Sequence, residues 1–264
     1  MVGKIKGTGS YRPVQVWDND KLSHMMDTSD EWIRGRTGIG QRHIASGGET
    51  VAYMAARAAE EALSDAGMRP EEIDLLLVST MSSERIMPCA ACEVQKLIGA
   101  VNAACFDLNG ACTGFLLALN TAQAYLGQQI YRRALVIGSE TLSHLTNWED
   151  RSTCVLFGDG AGAAVFELTD TSAPFAITLG ARGDAAIHAG GPSRAGSAPI
   201  SMDGRAVFRF AVDALPKCLH TVLDETGLTL DNLDWVVCHQ ANSRIIDHCV
   251  KALHADGAKF YKNM

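Results

Sequence analysis

Two stretches carry residues suited to chemistry. One is the cysteine of Phe106-Asp107-Leu108-Asn109-Gly110-Ala111-Cys112-Thr113-Gly114-Phe115; the other is the histidine of Cys238-His239-Gln240. Cys112 follows a short apolar run and precedes a long one, so it falls at a strand-to-helix turn. Helix N-termini carry unpaired N–H groups and a partial positive charge. A thiol placed there has its thiolate favoured, and the thiolate is the nucleophile. Gly110, Ala111 and Gly114 let another molecule approach the sulfur closely. A second reading stays open at this stretch, a buried cysteine acting as a small hydrophobe. His239 follows the apolar pair Val236-Val237, at the carboxyl end of an expected strand. Ligands in open α/β sheets bind at such ends. A histidine after an apolar strand also serves as a structural hydrogen-bonding residue.

Other constellations are weaker. Cys89 and Cys92 make a Cys-x-x-Cys, but no second pair completes a zinc site, and helix packing is the expected role. No metal site is expected. Gly158-Asp159-Gly160-Ala161-Gly162 has the glycines of a dinucleotide loop, but it joins two apolar runs and opens no helix. A hairpin-like turn is expected there. Trp32, Arg36 and Arg151 are suited to an aromatic and cationic surface for a nucleotide-bearing ligand; each alone reads as an ordinary surface residue. Arg209, Arg244 and Lys251 place positive charge on helices of an acidic chain, either as a solvated face or as a dock for an acidic partner.

These side chains need a scaffold. The chain has 264 residues, 47% of them hydrophobic, enough for one large domain or two fused halves with a buried core. A formal net charge of -7 and an aromatic share of 6% argue against a nucleic-acid partner. No window is long and apolar enough for a membrane span, and the start of the chain has no signal-peptide pattern. The eight cysteines are therefore expected to be reduced thiols in the cytoplasm.

Patterning predicts an opening strand over 1–10 loosened by Gly7 and Gly9, short helices and loops over 16–44, and a helix over 51–66 capped by Thr50 and Gly67. A buried strand is expected over 73–80, and a helix with Pro88 at its start and Gly99 past its end. The helix after Cys112 is apolar all round and is expected to be buried all round. Strands follow over 134–138 and over 154–168, the latter folded at the Gly-Asp-Gly. Loops over 180–200, a helix over 205–226 interrupted at Pro216, a strand through Val236, and a helix over 243–254 complete the series. Alternating strands and helices give an α/β fold with a mostly parallel sheet.

An internal repeat organises the whole. Residues 63–77 align without gaps to 223–237, so Gly67 matches Gly227 at an offset of 160. The second copy has no equivalent of the strand, apolar helix and two strands that complete the first. Two pseudo-symmetric halves bring Cys112 and His239 towards one pocket.

Several segments in this order and spacing resemble a known family. They are Gly7-Thr8-Gly9-Ser10-Tyr11-Arg12-Pro13, Asp27-Thr28-Ser29-Asp30-Glu31-Trp32-Ile33, Arg36-Thr37-Gly38-Ile39, residues 107–114, Phe157-Gly158-Asp159-Gly160-Ala161-Gly162-Ala163 and His239-Gln240-Ala241-Asn242. The chain resembles β-ketoacyl-acyl carrier protein synthase III, the condensing enzyme that initiates bacterial fatty acid synthesis, within the thiolase superfamily.

The resemblance implies a thiolase-like α/β fold of two pseudo-symmetric halves in five layers (αβαβα), with residues 1–168 carrying the nucleophile, a truncated half over 169–264, and a homodimer. It implies that Cys112 takes an acyl group from an acyl-coenzyme A such as acetyl-CoA. His239 then hydrogen-bonds the thioester carbonyl as malonyl-acyl carrier protein loses carbon dioxide, and the enolate attacks the acyl-cysteine. Trp32 and Arg151 match the pair that sandwiches the adenine of coenzyme A, and Thr28 and Arg36 match their neighbours. Asn242 matches a tunnel residue near the pantetheine. Arg209, Arg244 and Lys251 match the basic face for the acidic carrier protein, and Met87 matches a residue lining the acyl pocket of the facing subunit. Coenzyme A enters as a substrate thioester, and no cofactor is implied.

The family's third catalytic residue, an asparagine in a Gly-Asn-Thr loop, has no match; Asn263 does not sit in that motif. The repeat and the resemblance together lead to the expectation of a chain truncated at its C-terminus and unable to complete condensation. Two further readings follow: a starter condensing enzyme for polyketide- or quinolone-type synthesis, and a non-catalytic fragment or dimer partner.

Overall fold

The computed structural model describes residues 2–170, 174–190 and 198–264. In chain order its elements are β1 (Val2–Tyr11), β2 (Gln15–Asp18), α1 (Asn19–Ser23), α2 (Asp30–Thr37), β3 (Gln41–Ile44), α3 (Val51–Ala66), β4 (Leu75–Ser79), α4 (Ala90–Ile98), β5 (Ala104–Leu108), α5 (Gly114–Gly127), β6 (Arg133–Thr141), β7 (Asp159–Thr169), β8 (Ile187–His188), β9 (Ser201–Met202), α6 (Gly204–Thr226) and α7 (Ser243–Ala252).

The main sheet has the order β1-β7-β6-β4-β5. Strand β4 pairs in parallel with both neighbours, Leu77 lying between Phe106 and Val136, and all five of its residues are buried. A continuous apolar run is what a strand covered on both faces requires. Leu76 and Val78 face α3 and α4, whereas Leu75 and Leu77 pack on the α5 side with Ala118, Ala122 and Leu126. Each such leucine contributes about 1.5–3 kcal/mol of burial.

Helix α3 begins and ends where its caps dictate. Thr50 Oγ1 accepts from Tyr53 N–H at 3.1 Å, and Gly67 closes it at φ 62°. The alanines of α3 allow close approach to β1, where a Cβ on Gly7 or Gly9 would strike the α3 backbone. These glycines sit inside β1 rather than loosening its end, because helix and strand backbones meet there.

Several expectations need correction. Residues 16–44 contain the antiparallel pair β2–β3 as well as helices. Helix α4 starts at Ala90 with Cys89 as N-cap, so Pro88 lies outside it. The 154–168 segment is not a hairpin: Gly160 and Gly162 lie within β7, paired with Glu140 and Gly138, while residues 151–156 form turns. Asp159 accepts from Ala45 N–H at 2.6 Å and Ser143 N–H at 2.8 Å, tying two loops to the start of β7. Helix α6 runs unbroken through Pro216. The 180–200 stretch includes the short strand β8, and its residues 191–197 lie outside those described. Helix α5 is not buried all round: Leu116 is 56% exposed, since no described element packs over that face.

The repeat recurs bond for bond. Met68 N–H reaches Leu63 O at 3.0 Å and Leu228 N–H reaches Leu223 O at 3.1 Å; Gly67 and Gly227 adopt φ 62° and 68°. Short 3₁₀ turns follow at Pro70–Glu72 and Leu230–Asn232. Beyond them the copies part. The expected strand through Val236 makes one parallel bridge, to Phe260. Val236 and Cys238 pack towards α6 and α7, while Trp235 and Val237 are 61% and 73% exposed. No helix among the described residues is long and apolar enough to cross a membrane.

Candidate active site

The carboxyl ends of β4, β5 and β6 frame Cys112. Strand β5 ends at Leu108, a 3₁₀ turn spans Ala111–Thr113, and α5 begins at Gly114. The small residues are required by the packing. A Cβ on Gly114 would collide with Ser79 Oγ at the end of β4, and one on Gly110 would strike Leu117 and lie 3.0 Å from Gly114 Cα. Ala111 adopts φ 45°, the left-handed region that a residue with a Cβ rarely enters. Such a conformation costs on the order of 1–2 kcal/mol and persists where its surroundings enforce it. Here it aims the next residue, Cys112, which is exposed.

The charge state of Cys112 differs from the sequence expectation. Although the residue keeps exposed surface, the protein crowded around its sulfur pushes the thiol up. Its own backbone N–H opposes this, and the negative charge of Glu140 adds to it. The helix start does not outweigh desolvation, so the neutral thiol is favoured over the thiolate.

Glu140, near the end of β6, was not singled out in the sequence. It accepts from Met81 N–H at 2.9 Å, from Thr80 Oγ1 at 3.3 Å, and from Ser82 Oγ. Burial raises its pKa, against the pull of those hydrogen bonds. A lone acid closing an apolar strand was the available signal.

His239 lies three residues beyond Val236, at the position that the repeat aligns with Ser79. Its imidazole is lowered by the protein packed around it, although the residue keeps exposed surface. Neither side chain bonds the other among the described residues. Gln240 Nε2 donates to Asn263 Oδ1 at 2.8 Å and its Oε1 accepts from Asn263 N–H at 2.9 Å. The equivalent position in the first half, Thr80, reaches Leu108 O through its backbone N–H at 3.1 Å.

A second cluster gathers Thr28, Trp32, Arg36 and Arg151. The Arg36 guanidinium lies 4.5 Å from the Trp32 ring and that of Arg151 lies 5.0 Å from it. Arg151 also donates to Asp27 O at 2.5 Å. Thr28 Oγ1 is buried without a hydrogen-bond partner among the described residues. With Arg151 this close, a planar base enters between the two only after the arginine moves out, since each contact needs ~3.5 Å.

Helix α2, which carries Trp32 and Arg36, ends against α7: a Cβ on Gly38 would come within 2.9 Å of Ser243 Oγ. That contact places Asn242, the residue before Ser243, near the C-terminal end of α2. The Asn242 side chain caps α7, accepting from Ile245 N–H at 3.2 Å. Arg209, Arg244 and Lys251 are exposed on α6 and α7, with Arg244 lying 5.8 Å from the Phe208 ring. Met87 is 80% exposed beside the start of α4.

The chain is similar to proteins of one family. The family model for 3-oxoacyl-[acyl-carrier-protein] synthase III matches residues 106–183, and the model for its C-terminal part matches 223–264. A β-ketoacyl-[acyl-carrier-protein] synthase III of Clostridium acetobutylicum is 44% identical over 272 residues, covering 99% of this chain and 83% of the relative. One from Synechococcus is 44% identical, covering 100% of this chain and 82% of the relative. The crystal structure of 3-oxoacyl-[acyl-carrier-protein] synthase III from Aquifex aeolicus superposes with a TM-score of 0.94 at 40% identity, over 99% of this chain and 84% of that one. The priming β-ketosynthase of the R1128 polyketide pathway superposes at 0.92 and 36% identity, over 99% and 81%. On sequence and on its thiolase-like α/β fold, the chain belongs to the β-ketoacyl-[acyl-carrier-protein] synthase III family.

Proposed function

We propose that the chain carries the condensing chemistry of its family: an acyl group passes from acyl-CoA to Cys112, and the acyl-cysteine is then attacked by the enolate of decarboxylated malonyl-acyl carrier protein. The products are a 3-oxoacyl-acyl carrier protein, free CoA and carbon dioxide, a first step of fatty acid synthesis. The observation that carries this reading is Cys112 itself, exposed at a strained strand-to-helix turn with small residues on both sides. The sulfur attacks the thioester carbonyl, the carbon–sulfur bond to CoA breaks, and the proton given up by the cysteine goes to the departing CoA, which leaves as its thiol.

His239 is assigned to the malonyl thioester. Its lowered pKa keeps the imidazole neutral at pH 7, with one N–H to donate to the developing enolate oxygen. Loss of one such donor costs about 3 kcal/mol in comparable oxyanion holes. Trp32, Arg36, Arg151 and Thr28 are assigned to the adenine end of coenzyme A, and Asn242 to its pantetheine arm. Arg209, Arg244 and Lys251 are assigned to the acidic carrier protein. Residues 1–168 and 169–264 are the proposed halves, the first bearing the nucleophile and the second the histidine. The chain is assigned to the cytoplasm as a homodimer; the dimer fits the edge of β5 that is unpaired among the described residues, with Ile86, Met87 and Val101 exposed nearby at 75%, 80% and 72%. In that dimer Met87 would line the partner's acyl pocket.

Incubation with [14C]acetyl-CoA tests the proposal. Label is expected on Cys112 and not on the Cys112→Ala variant. A wild-type chain that takes up no label, yet keeps a cooperative unfolding transition, overturns the reading in favour of a non-catalytic role. The likeness to the priming β-ketosynthase favours a second reading, a polyketide starter enzyme. Transfer from longer acyl-CoA primers in preference to acetyl-CoA would select it.

A further inference from the structure

Cys89 and Cys92 take no part in the chemistry above. The sequence suggested packing for them; the structure places their Sγ atoms 3.4 Å apart, with both residues partly exposed. The spacing explains the meeting. Cys89 is the N-cap of α4 and Cys92 its third residue, and side chains at those two positions face each other across the first helical turn. Cys105 lies close enough to bear on both thiols, but its Sγ is directed to Ala103 O at 3.4 Å, and no metal-binding group forms among the described residues.

We propose that Cys89 and Cys92 form a reversible disulfide, a thiol–disulfide exchange site separate from Cys112. A disulfide needs its sulfurs ~2 Å apart. Closing the pair therefore asks for a movement of roughly 1.4 Å, within the reach of two side-chain rotations. The co-reactant is a small-molecule disulfide. One cysteine thiolate attacks it, a mixed disulfide forms, and one small thiolate leaves. The second cysteine thiolate attacks the protein-bound sulfur, the Cys89–Cys92 bond forms, and the second small thiolate leaves. The two protons given up by the cysteines go to the two departing thiols, and the small disulfide is reduced by the same two electrons that the pair loses. Burial pushes the Cys89 thiol up, while the Cys92 N–H pulls it down and Asp107 adds to the rise, so the first attack quickens as pH increases.

The location gives the site consequence. Asp107 accepts from Ala90 N–H at 2.8 Å and Ala91 N–H at 2.7 Å, which clamps this first turn of α4 to β5, the strand that leads into Cys112. Met87 lies two residues before Cys89.

The test exposes the full chain to oxidised glutathione at pH 8, blocks free thiols with N-ethylmaleimide and digests with trypsin. Peptide 86–96 contains Cys89 and Cys92 and no other cysteine. It is expected to lose two hydrogens and resist blocking, and to accept two maleimides after treatment with dithiothreitol. A Cys105→Ser variant is expected to give the same peptide. The proposal is overturned if the peptide carries two maleimides or two glutathiones, or is cross-linked to the peptide of Cys105.

Discussion

Strand β4 and the segment over 235–238 are approached by the same turn, yet one is an interior strand of a sheet and the other holds a single bridge. Upstream, α3 buries nine of its 16 residues, whereas α6 buries only Leu223 of 23. The turns themselves match in dihedral angle and hydrogen bonding. Turn geometry is therefore set locally, by a left-handed glycine and a 3₁₀ cap, and needs no tertiary support. A strand is different, because its ladder and both its faces must be completed by other elements. Leu75 and Leu77 have α5 on their side of the sheet, and their counterparts Trp235 and Val237 have no covering element among the described residues.

The largest test of that contrast is a matched pair of truncations. Leu77→Ala opens a cavity in a fully buried site and is expected to cost about 2–5 kcal/mol. Val237→Ala, at the equivalent position but 73% exposed, is expected within about 0.5 kcal/mol of wild type. Urea unfolding measures both, and comparable losses would break the comparison. A second matched pair probes the turns. Gly67→Ala and Gly227→Ala each force a Cβ into positive φ with no neighbour within 4 Å, so each carries the same strain of about 1 kcal/mol. Global unfolding is expected to register the change at Gly67. The change at Gly227 is expected in hydrogen exchange of 223–233. Equal shifts in the global midpoint would show that the two halves unfold as one unit.

What the sequence made legible follows the same division between local and distant causes. Helix α3 is readable to the residue because Thr50 and Gly67 carry its boundaries. The core strand β4 is readable because burial on both faces leaves an unbroken apolar run. Strands β2 and β3 are four residues each and mostly polar, with no periodicity to reveal them. The Gly158-Asp159-Gly160 motif misleads because β7 uses small residues inside a strand, where a turn uses the same ones. At the site, the Cys112 turn and the Trp32–Arg151 cluster are visible as residue types in order. The strain at Ala111 and the raised pKa of Glu140 are not, since both arise from what packs around them. The thiol's direction of shift fails for the same reason: a helix start is visible in a sequence, and desolvation by distant segments is not.

Cys112 and His239 extend the contrast to charge. Burial favours the neutral form of each, raising the thiol and lowering the imidazole, but only Cys112 has a charged group among its causes, Glu140. Folding therefore gains from the neutral thiol below the ordinary cysteine range and loses that gain as pH rises through the raised value. For His239 the gain is present above 6.5 and is lost as pH falls through the lowered value. Glu140→Gln removes the charge and keeps an oxygen to accept from Met81 N–H and Ser82 Oγ. Alkylation of Cys112 by iodoacetamide, followed by mass spectrometry of its peptide, is expected to show a midpoint above 9.0 in the wild type. The variant's midpoint is expected to be lower, because a like charge that opposes the thiolate has been removed. The His239 titration, followed by NMR, is expected to stay in place. A shift of both groups together would mean that Glu140 acts on the whole pocket and that the two halves share one electrostatic environment. An unmoved Cys112 would leave burial as the sole source of its raised pKa.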